Sequence, residues 1–361
     1  MRDSPLEDGI FCTALILIAI VLVFELTNGF NDCANLVASS ITTGALGLRS
    51  ALLLVGFFEF IGAWFLGTAV AKTLGEGIVN PLHIPIAALF AALIGSIIWN
   101  LLCFYGGMPS SSSHALIGGL LGAVLVGSDA QWIHWKKLSE ILAILIVAPA
   151  IGLLAGRFLT LRIFDFLSYY KPSKANRLLK RLQILTSITL ALSHGSNDAQ
   201  KGMGIISLAL ILFHKISPSA MNRIYEPLPQ YSFYVPSWVI LACSLALATG
   251  VSFGGLRIMK TLGAKLYRMR PIHGFSAQGS ASLVIYLSSL IGYPVSTTQI
   301  VSSSIIGAGT AQSLSAVRWG VGRQIIITWL ITIPGAAALA ALLVFLFGVL
   351  PWPFDFLSRI R

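Results

Sequence analysis

Gly29-Phe30-Asn31-Asp32 and Gly195-Ser196-Asn197-Asp198 stand inside long apolar stretches, one in each half of a 361-residue chain. An Asp in the middle of a membrane span costs about 2.5–3.5 kcal/mol to insert, and it persists where it faces a cavity, an ion or a partner. Working outward from the two quartets, further residues repeat in the same order. Gly62, Gly67 and Lys72-Thr73-Leu74-Gly75 are matched at constant offset by Gly250, Gly255 and Lys260-Thr261-Leu262-Gly263. Pro109-Ser110-Ser111-Ser112-Ser113-His114 is matched by Pro294-Val295-Ser296-Thr297-Thr298-Gln299, and Gly122-Ala123 by Gly307-Ala308. Chance similarity between apolar segments does not keep rare residues in register over three blocks, so the chain is an internal repeat.

The repeat is built of membrane-type sequence. The chain is 56% apolar and 10% charged, with a mean hydropathy of +0.85, whereas a soluble domain carries roughly 25% charged residues. Apolar segments fall near 11–45, 50–71, 84–105, 110–127 and 139–160, and again near 183–213, 236–256, 273–291, 295–312 and 322–349. Strand-type alternation is absent, which argues against a β-barrel. The reading is an all-α polytopic membrane protein with about 10–12 transmembrane segments. The long first segment of each half is interrupted by Asn and Asp, which predicts a broken helix or a helix pair. The short 110–127 and 295–312 segments are candidates for re-entrant pieces. An odd number of crossings per half makes the two repeats inverted in topology, an architecture of many secondary transporters. The expected organisation is a first repeat over 1–161, a basic linker over 162–182 and a second repeat over 183–361.

Charge supplies orientation. Arg162, Lys171, Lys174, Arg177, Lys180 and Arg181 face Asp165 alone in the linker, and Arg257, Lys260, Lys265, Arg268 and Arg270 have no acid beside them. The positive-inside rule places 162–182 and 257–272 in the cytoplasm and both termini outside, although the basic tail, Arg359 and Arg361, pulls the other way. The N-terminus carries Asp3, Glu7 and Asp8 against Arg2. It lacks the basic start of a cleaved signal peptide, so residues 11–24 begin a first mature span. The net charge of +11 sits in short loops between apolar spans, where anionic lipid heads account for it without a nucleic acid. Cys12, Cys33, Cys103 and Cys243 show no CxxC spacing and read as free thiols in apolar surroundings.

Two chemistries follow. Carboxylate and amide oxygens are hard ligands, and glycine permits an unwound backbone that exposes carbonyls. Asn31, Asp32, Asn197 and Asp198 are therefore candidates to bind a small cation such as Na⁺ at Asp32 and Asp198. Asn35 and Gln200 are candidate extra ligands, or ordinary interhelical hydrogen bonders. Ser110, Ser111, Ser112, Ser113, Ser296, Thr297 and Thr298 follow a proline and open a helix, where N–H groups are free and the dipole is positive. That combination suits a phosphate or sulfate; close helix packing is the plainer reading of small hydroxyl residues. A dianion near two carboxylates is repelled unless cations bind between them, and this is the coupling a symporter needs. Protonation of one Asp is the alternative. Glu59 and His194 are candidates for coupling or gating, or for structural hydrogen bonds. Lys201 either pairs with an acid or reaches the interface.

These residues resemble the inorganic phosphate transporter (PiT) family, which carries Gly-x-Asn-Asp and a later Pro-x-Ser/Thr-rich motif in each half. The resemblance covers nearly the whole chain. It implies phosphate uptake driven by Na⁺ or H⁺, inverted repeats and often a homodimer. Glu59 matches a membrane Glu of that family, while Gln278 and Gln299 stand where members often have Glu and His, which makes Gln278 a further candidate for coupling or gating. Relatives also carry sulfate, and the short linker looks like the prokaryotic form. The expectation is a Na⁺-coupled phosphate symporter of the cell (plasma or inner) membrane, with H⁺-coupled, metal-phosphate or sulfate transport as alternatives. No cofactor is implied. HExxH, GxSxG and nucleotide-binding loops are absent, so the reading is not an enzyme, and an anion channel would prefer Arg or Lys rings.

Overall fold

The Asn-Asp pairs lie in the two longest helices. The computed structural model describes residues 5–80, 83–227, 233–254 and 266–349. In it, α1 (Pro5–Thr42) and α7 (Pro172–Ile216) run 38 and 45 residues without a break. At about 1.5 Å per residue they reach about 57 and 68 Å, beyond the roughly 30 Å hydrocarbon core. The break expected at the Asn-Asp pairs is therefore not there. The side chains explain why: Asn28, Asn31 and Asn35 hydrogen-bond to Asp198, the Asn100 carbonyl, and Asp32 and Thr298. They do not compete for their own helix backbone, which is how such residues usually end a helix.

The breaks come elsewhere. α2 (Leu48–Phe65) and the short α3 (Ala69–Glu76) are separated at Gly67, whose φ is +97°. α4 (Ile86–Gly106) ends on Gly107 in the left-handed region, and α10 (Pro271–Ile291) ends the same way on Gly292. After an extended stretch the chain restarts as α5 (Ser112–Gly127) and α11 (Thr297–Gln312), of 16 residues each. At about 24 Å these helices are too short to span, so they begin within the membrane. The remaining helices are α6 (Trp135–Leu167), α8 (Pro218–Met221), α9 (Ser237–Phe253) and α12 (Trp319–Val349). Among the described residues, ten helices of 16 residues or more take up the ten apolar segments. Six of them are long and apolar enough to cross a membrane, and α5 and α9 are shorter apolar helices. No strand is present among the described residues, only an isolated bridge between Val79 and Ile133.

The repeat extends further than the motifs. Pro149 and Pro334 lie inside α6 and α12 at matching places. Trp135 and Trp319 open these helices and donate to the Ala130 and Leu314 carbonyls. The repeats also interlock. α5 packs on α12 and α11 packs on α6; α1 packs on α9 and α7 packs on α2. The first glycine of each Gly-x-Asn-Asp makes this crossing, rather than unwinding the helix as the sequence suggests. A Cβ at Gly195 would strike the Glu59 carbonyl, and one at Gly62 the Leu192 carbonyl. Gly29 and Gly250 approach the Leu247 and Leu26 carbonyls in the same way.

The stretch 162–182 is not a free linker. α6 continues to Leu167 and α7 starts at Pro172, whose fixed φ suits a first helical position. Ala175 and Leu179 form its buried stripe while Lys171, Lys174 and Arg177 stay exposed. Most of 257–272, the block Gly255 and Lys260–Gly263, and Arg359 and Arg361 lie outside the described residues. Burial is arranged as in lipid: Leu53, Phe57, Phe65, Leu154 and Leu330 are exposed while Asp32, Asp198, Asn28 and Asn100 are buried among the apolar core. Replacing Gly62 by Ala should lower the stability of the detergent-solubilised protein by about 1–3 kcal/mol through overpacking. Gly47→Ala, with nothing within 4 Å of the added carbon, should leave the melting temperature unchanged; equal melting of the two variants would refute the crossing role.

Candidate anion and cation site

α1 and α7 bring Asp32 and Asp198 to one place, with His194 between them. A carboxylate oxygen of each Asp and a His194 ring nitrogen lie within 4.8 Å of one another. His194 Nε2 is 3.7 Å from Asp32 Oδ2 and 3.6 Å from Asp198 Oδ2. Its other nitrogen, Nδ1, lies 2.5 Å from Glu59 Oε1. Asp32 Oδ1 accepts from Asn35 Nδ2 at 2.6 Å and from Thr298 Oγ1 at 2.5 Å. Asp198 Oδ2 accepts from Lys201 Nζ at 2.8 Å, Asn28 Nδ2 at 3.2 Å and Thr297 Oγ1 at 3.4 Å. All of these residues are buried, so the site is closed to both sides in this conformation.

The hydroxyl motifs meet at the same place. Lys201 donates to Ser112 Oγ at 2.9 Å, and Ser113 Oγ donates to the Val295 carbonyl at 2.8 Å. Ser111 and Ser296 cap α5 and α11, accepting from the backbone N–H of His114 and Gln299. His114 and Gln299, the equivalent residues that follow, face each other at 3.3 Å. The N-termini of α5 and α11 thus point to a common centre, each contributing a positive dipole end and first-turn N–H groups. Asn31 and Asn197 hold the hairpins in place. Asn31 donates to the Asn100 carbonyl, and Asn197 donates to Ser289 Oγ and the Tyr293 carbonyl.

Several oxygens at this centre accept no hydrogen bond: Asn28 Oδ1, Asn31 Oδ1, Asn35 Oδ1, Asp32 Oδ2, Asp198 Oδ1 and the Ser110 hydroxyl. A buried polar atom without a partner costs about 1–3 kcal/mol. A cluster of carboxylate and amide oxygens is the donor set of a hard cation.

Two expected residues are placed elsewhere. Gln200 accepts from the Val70 and Ala71 N–H groups at 2.7 and 3.0 Å and donates to the Ser196 carbonyl. Its amide anchors the start of α3 and does not face the centre. Gln278 belongs to a second polar group, accepting from Thr186 and Ser187 and donating to Ser40 and the Leu36 carbonyl. Two residues at the centre were missed by sequence reasoning, Glu25 and Asn28. Glu25 Oε1 accepts from the Gly202 N–H at 2.6 Å. The signal was there: residues 25, 28, 32 and 35 of α1 are polar at helical spacing in an apolar stretch.

The charged equipment is one-sided on a symmetric frame. At the offset that relates the Asn-Asp pairs, Glu25 matches Ala191, Asn28 matches His194 and Asn35 matches Lys201. Glu59 matches Leu247 at the offset of the glycine block. The first repeat brings the extra acids and the second brings the bases that meet them.

A family model described as "Phosphate transporter family" matches residues 28–175 and again 167–340, one match to each half. A Rhizobium meliloti (strain 1021) protein described as "Probable low-affinity inorganic phosphate transporter" is 39% identical over 329 residues, 91% of this chain and 95% of the relative. A Bacillus subtilis (strain 168) protein of the same description is 36% identical over 345 residues, 95% of this chain and 99% of the relative. A solved structure described as "The sodium-dependent phosphate transporter" has a TM-score of 0.81 at 24% identity, covering 94% of this chain and all of that one, a likeness of fold.

Gln200→Ala should leave the α3 N–H groups of Val70 and Ala71 without an acceptor and cost about 1–3 kcal/mol. A heating series of detergent-solubilised protein, followed by size exclusion, checks this. An unshifted midpoint would show that Gln200 does not anchor α3.

Proposed function

We infer that this chain, which belongs to the phosphate transporter family, carries inorganic phosphate into the cell by symport with Na⁺. It is a multi-pass membrane transporter and not an enzyme. The observation that carries the coupled reading is the convergence of the α5 and α11 N-termini on two carboxylates whose remaining oxygens have no donor.

In this reading phosphate lies between the two helix N-termini. First-turn N–H groups and the hydroxyls of Ser110 and Ser112 receive its oxygens, Ser113, Thr297 and Thr298 join them by turning from the Val295 carbonyl, Asp198 and Asp32, and Ser111 and Ser296 shape the turns. Asp32, with the oxygens of Asn31 and Asn35, and Asp198 are the two acidic points that a coupling cation answers. Coulomb repulsion between a dianion and buried carboxylates is large where the dielectric is low. A cation between them removes it, and by linkage phosphate raises the cation's affinity as much as the cation raises that of phosphate. Neither ligand is then favoured alone, so the empty or fully loaded site is the one that moves. Alternating exposure follows from rocking of one repeat, residues 1–161, against the other, residues 183–361, about a site at their junction. The basic stretch 162–182 lies on the cytoplasmic side in this orientation.

One observation favours a second reading. His194 sits between Glu59 and both aspartates, an arrangement that can hold a proton where a Na⁺ would otherwise bind. Labelled phosphate uptake into liposomes separates the two readings: an imposed Na⁺ gradient should drive accumulation and a Na⁺-free proton gradient should not. The reverse result would establish the proton-coupled reading. Sulfate added in excess should compete weakly or not at all.

Asp32→Asn and Asp198→Asn should each abolish Na⁺-driven uptake, and retention of it by both would overturn the site assignment. Ser110→Ala should raise the KM for phosphate roughly ten- to a hundred-fold, the loss of one hydrogen bond to a charged ligand. Its hydroxyl has only the weakly hydrogen-bonding Cys103 thiol as a partner within the protein, so its removal should shift the melting temperature little.

A further inference from the structure

Position 35 in the first repeat and position 201 in the second are equivalent at the offset of the Asn-Asp pairs. They do the same geometric task with different charge. Asn35 Nδ2 donates to Asp32 Oδ1 at 2.6 Å and to Thr298 Oγ1 of the opposite repeat at 3.1 Å. Lys201 Nζ donates to Asp198 Oδ2 at 2.8 Å and to Ser112 Oγ of the opposite repeat at 2.9 Å. In both, a side chain three residues after the Asp ties that carboxylate to the hydroxyl motif of the other half. In the first repeat the tie is a neutral amide. In the second it is an ammonium.

Lys201 is fully buried, and among the described residues it is the one Lys or Arg that is. A buried ammonium is retained only where it is paired and hydrogen-bonded, and here its partners are the two groups a coupling cation on the Asp198 side would use. The free oxygens show the consequence. Around Asp32 they are Asp32 Oδ2, Asn31 Oδ1 and Asn35 Oδ1; around Asp198 they are Asp198 Oδ1 and Asn28 Oδ1, with Glu25 Oε2 beside Lys201. The amide oxygen that Asn35 offers on one side has no counterpart on the other, because lysine has no acceptor. A second Na⁺ at Asp198 would also lie against a like charge.

We propose that Lys201 is a tethered cation standing in for one of two coupling ions, so that the site takes one Na⁺, at Asp32, with each phosphate. The ammonium balances Asp198 permanently and faces the phosphate cradle through Ser112. Of the two aspartates, only Asp32 then needs an ion from solution. The inference rests on the sodium-symport reading above and sharpens it: a site symmetric in backbone is asymmetric in ions.

The test uses the purified full-length protein, counting ²²Na⁺ bound at saturating inorganic phosphate and measuring the Na⁺ dependence of phosphate uptake in proteoliposomes. Wild type should bind about one Na⁺ per chain with a hyperbolic dependence. Lys201→Asn, which restores the residue of the first repeat, should bind about two with a sigmoidal dependence. Lys201→Arg, which keeps the charge, should stay at about one. About two Na⁺ in wild type overturns the proposal whatever the variants do, and so does a count of about one in a folded Lys201→Asn protein. Wild type that binds no Na⁺ while still carrying phosphate overturns the sodium reading itself, and the inference with it.

Discussion

Two carboxylates buried at the centre of a membrane protein must be answered by other groups, and the rest of this structure is arranged around answering Asp32 and Asp198. Neither is satisfied from its own helix alone. Asp32 is met by Thr298 from the opposite repeat, and Asp198 by Thr297 in its own repeat and by Asn28 from the first. His194 lies against both. Because the partners come from both halves, the aspartates are satisfied only when the two repeats are interlocked. The cost of burying them thus specifies how the halves assemble, as well as what the centre can bind.

The interlocking needs close approach. Gly29 against α9 and Gly195 against α2 let helix backbones touch beside the aspartates, a use of small residues that membrane packing favours because lipid gives no hydrophobic drive between helices. Gly107 and Gly292 then end α4 and α10 in the left-handed region, and the chain re-enters as α5 and α11 with caps facing inward. A helix that begins inside the membrane leaves unpaired N–H groups there. Such groups are tolerated where they line a polar site, and here they face carboxylates, hydroxyls and a lysine. On this two-fold frame the charge is distributed unevenly: acids are added in the first repeat and bases in the second, so opposite charges meet across the junction.

The ten apolar segments, the two hydroxyl motifs and the Asn-Asp pairs were legible because each is a local pattern. Hydropathy marks a span, and a proline followed by serines marks a helix start. What was misread was the role of particular residues. Gly29 and Gly195 looked like points of unwinding and are points of contact. Gln200 looked like a ligand and anchors α3. Gln278 joins a separate polar group with Ser40 and Ser187. Glu25 was passed over although its spacing from Asn28 and Asp32 put it on the same helical face.

By itself, then, the sequence determined that this is a membrane-embedded repeat protein, with two acidic points and two hydroxyl-lined helix starts that suit an anion and a cation together. Those conclusions depend on composition and on spacing within one element, which the chain carries wherever it folds. Tertiary structure alone decided which half answers which aspartate, that the long helices run unbroken through the Asn-Asp pairs, and that Lys201 occupies the place of Asn35's amide in the other half. These are facts about residues separated by up to 266 positions, as Asp32 and Thr298 are. Hydrogen bonds at 2.5 to 3 Å between such residues exist only once packing has chosen which faces meet.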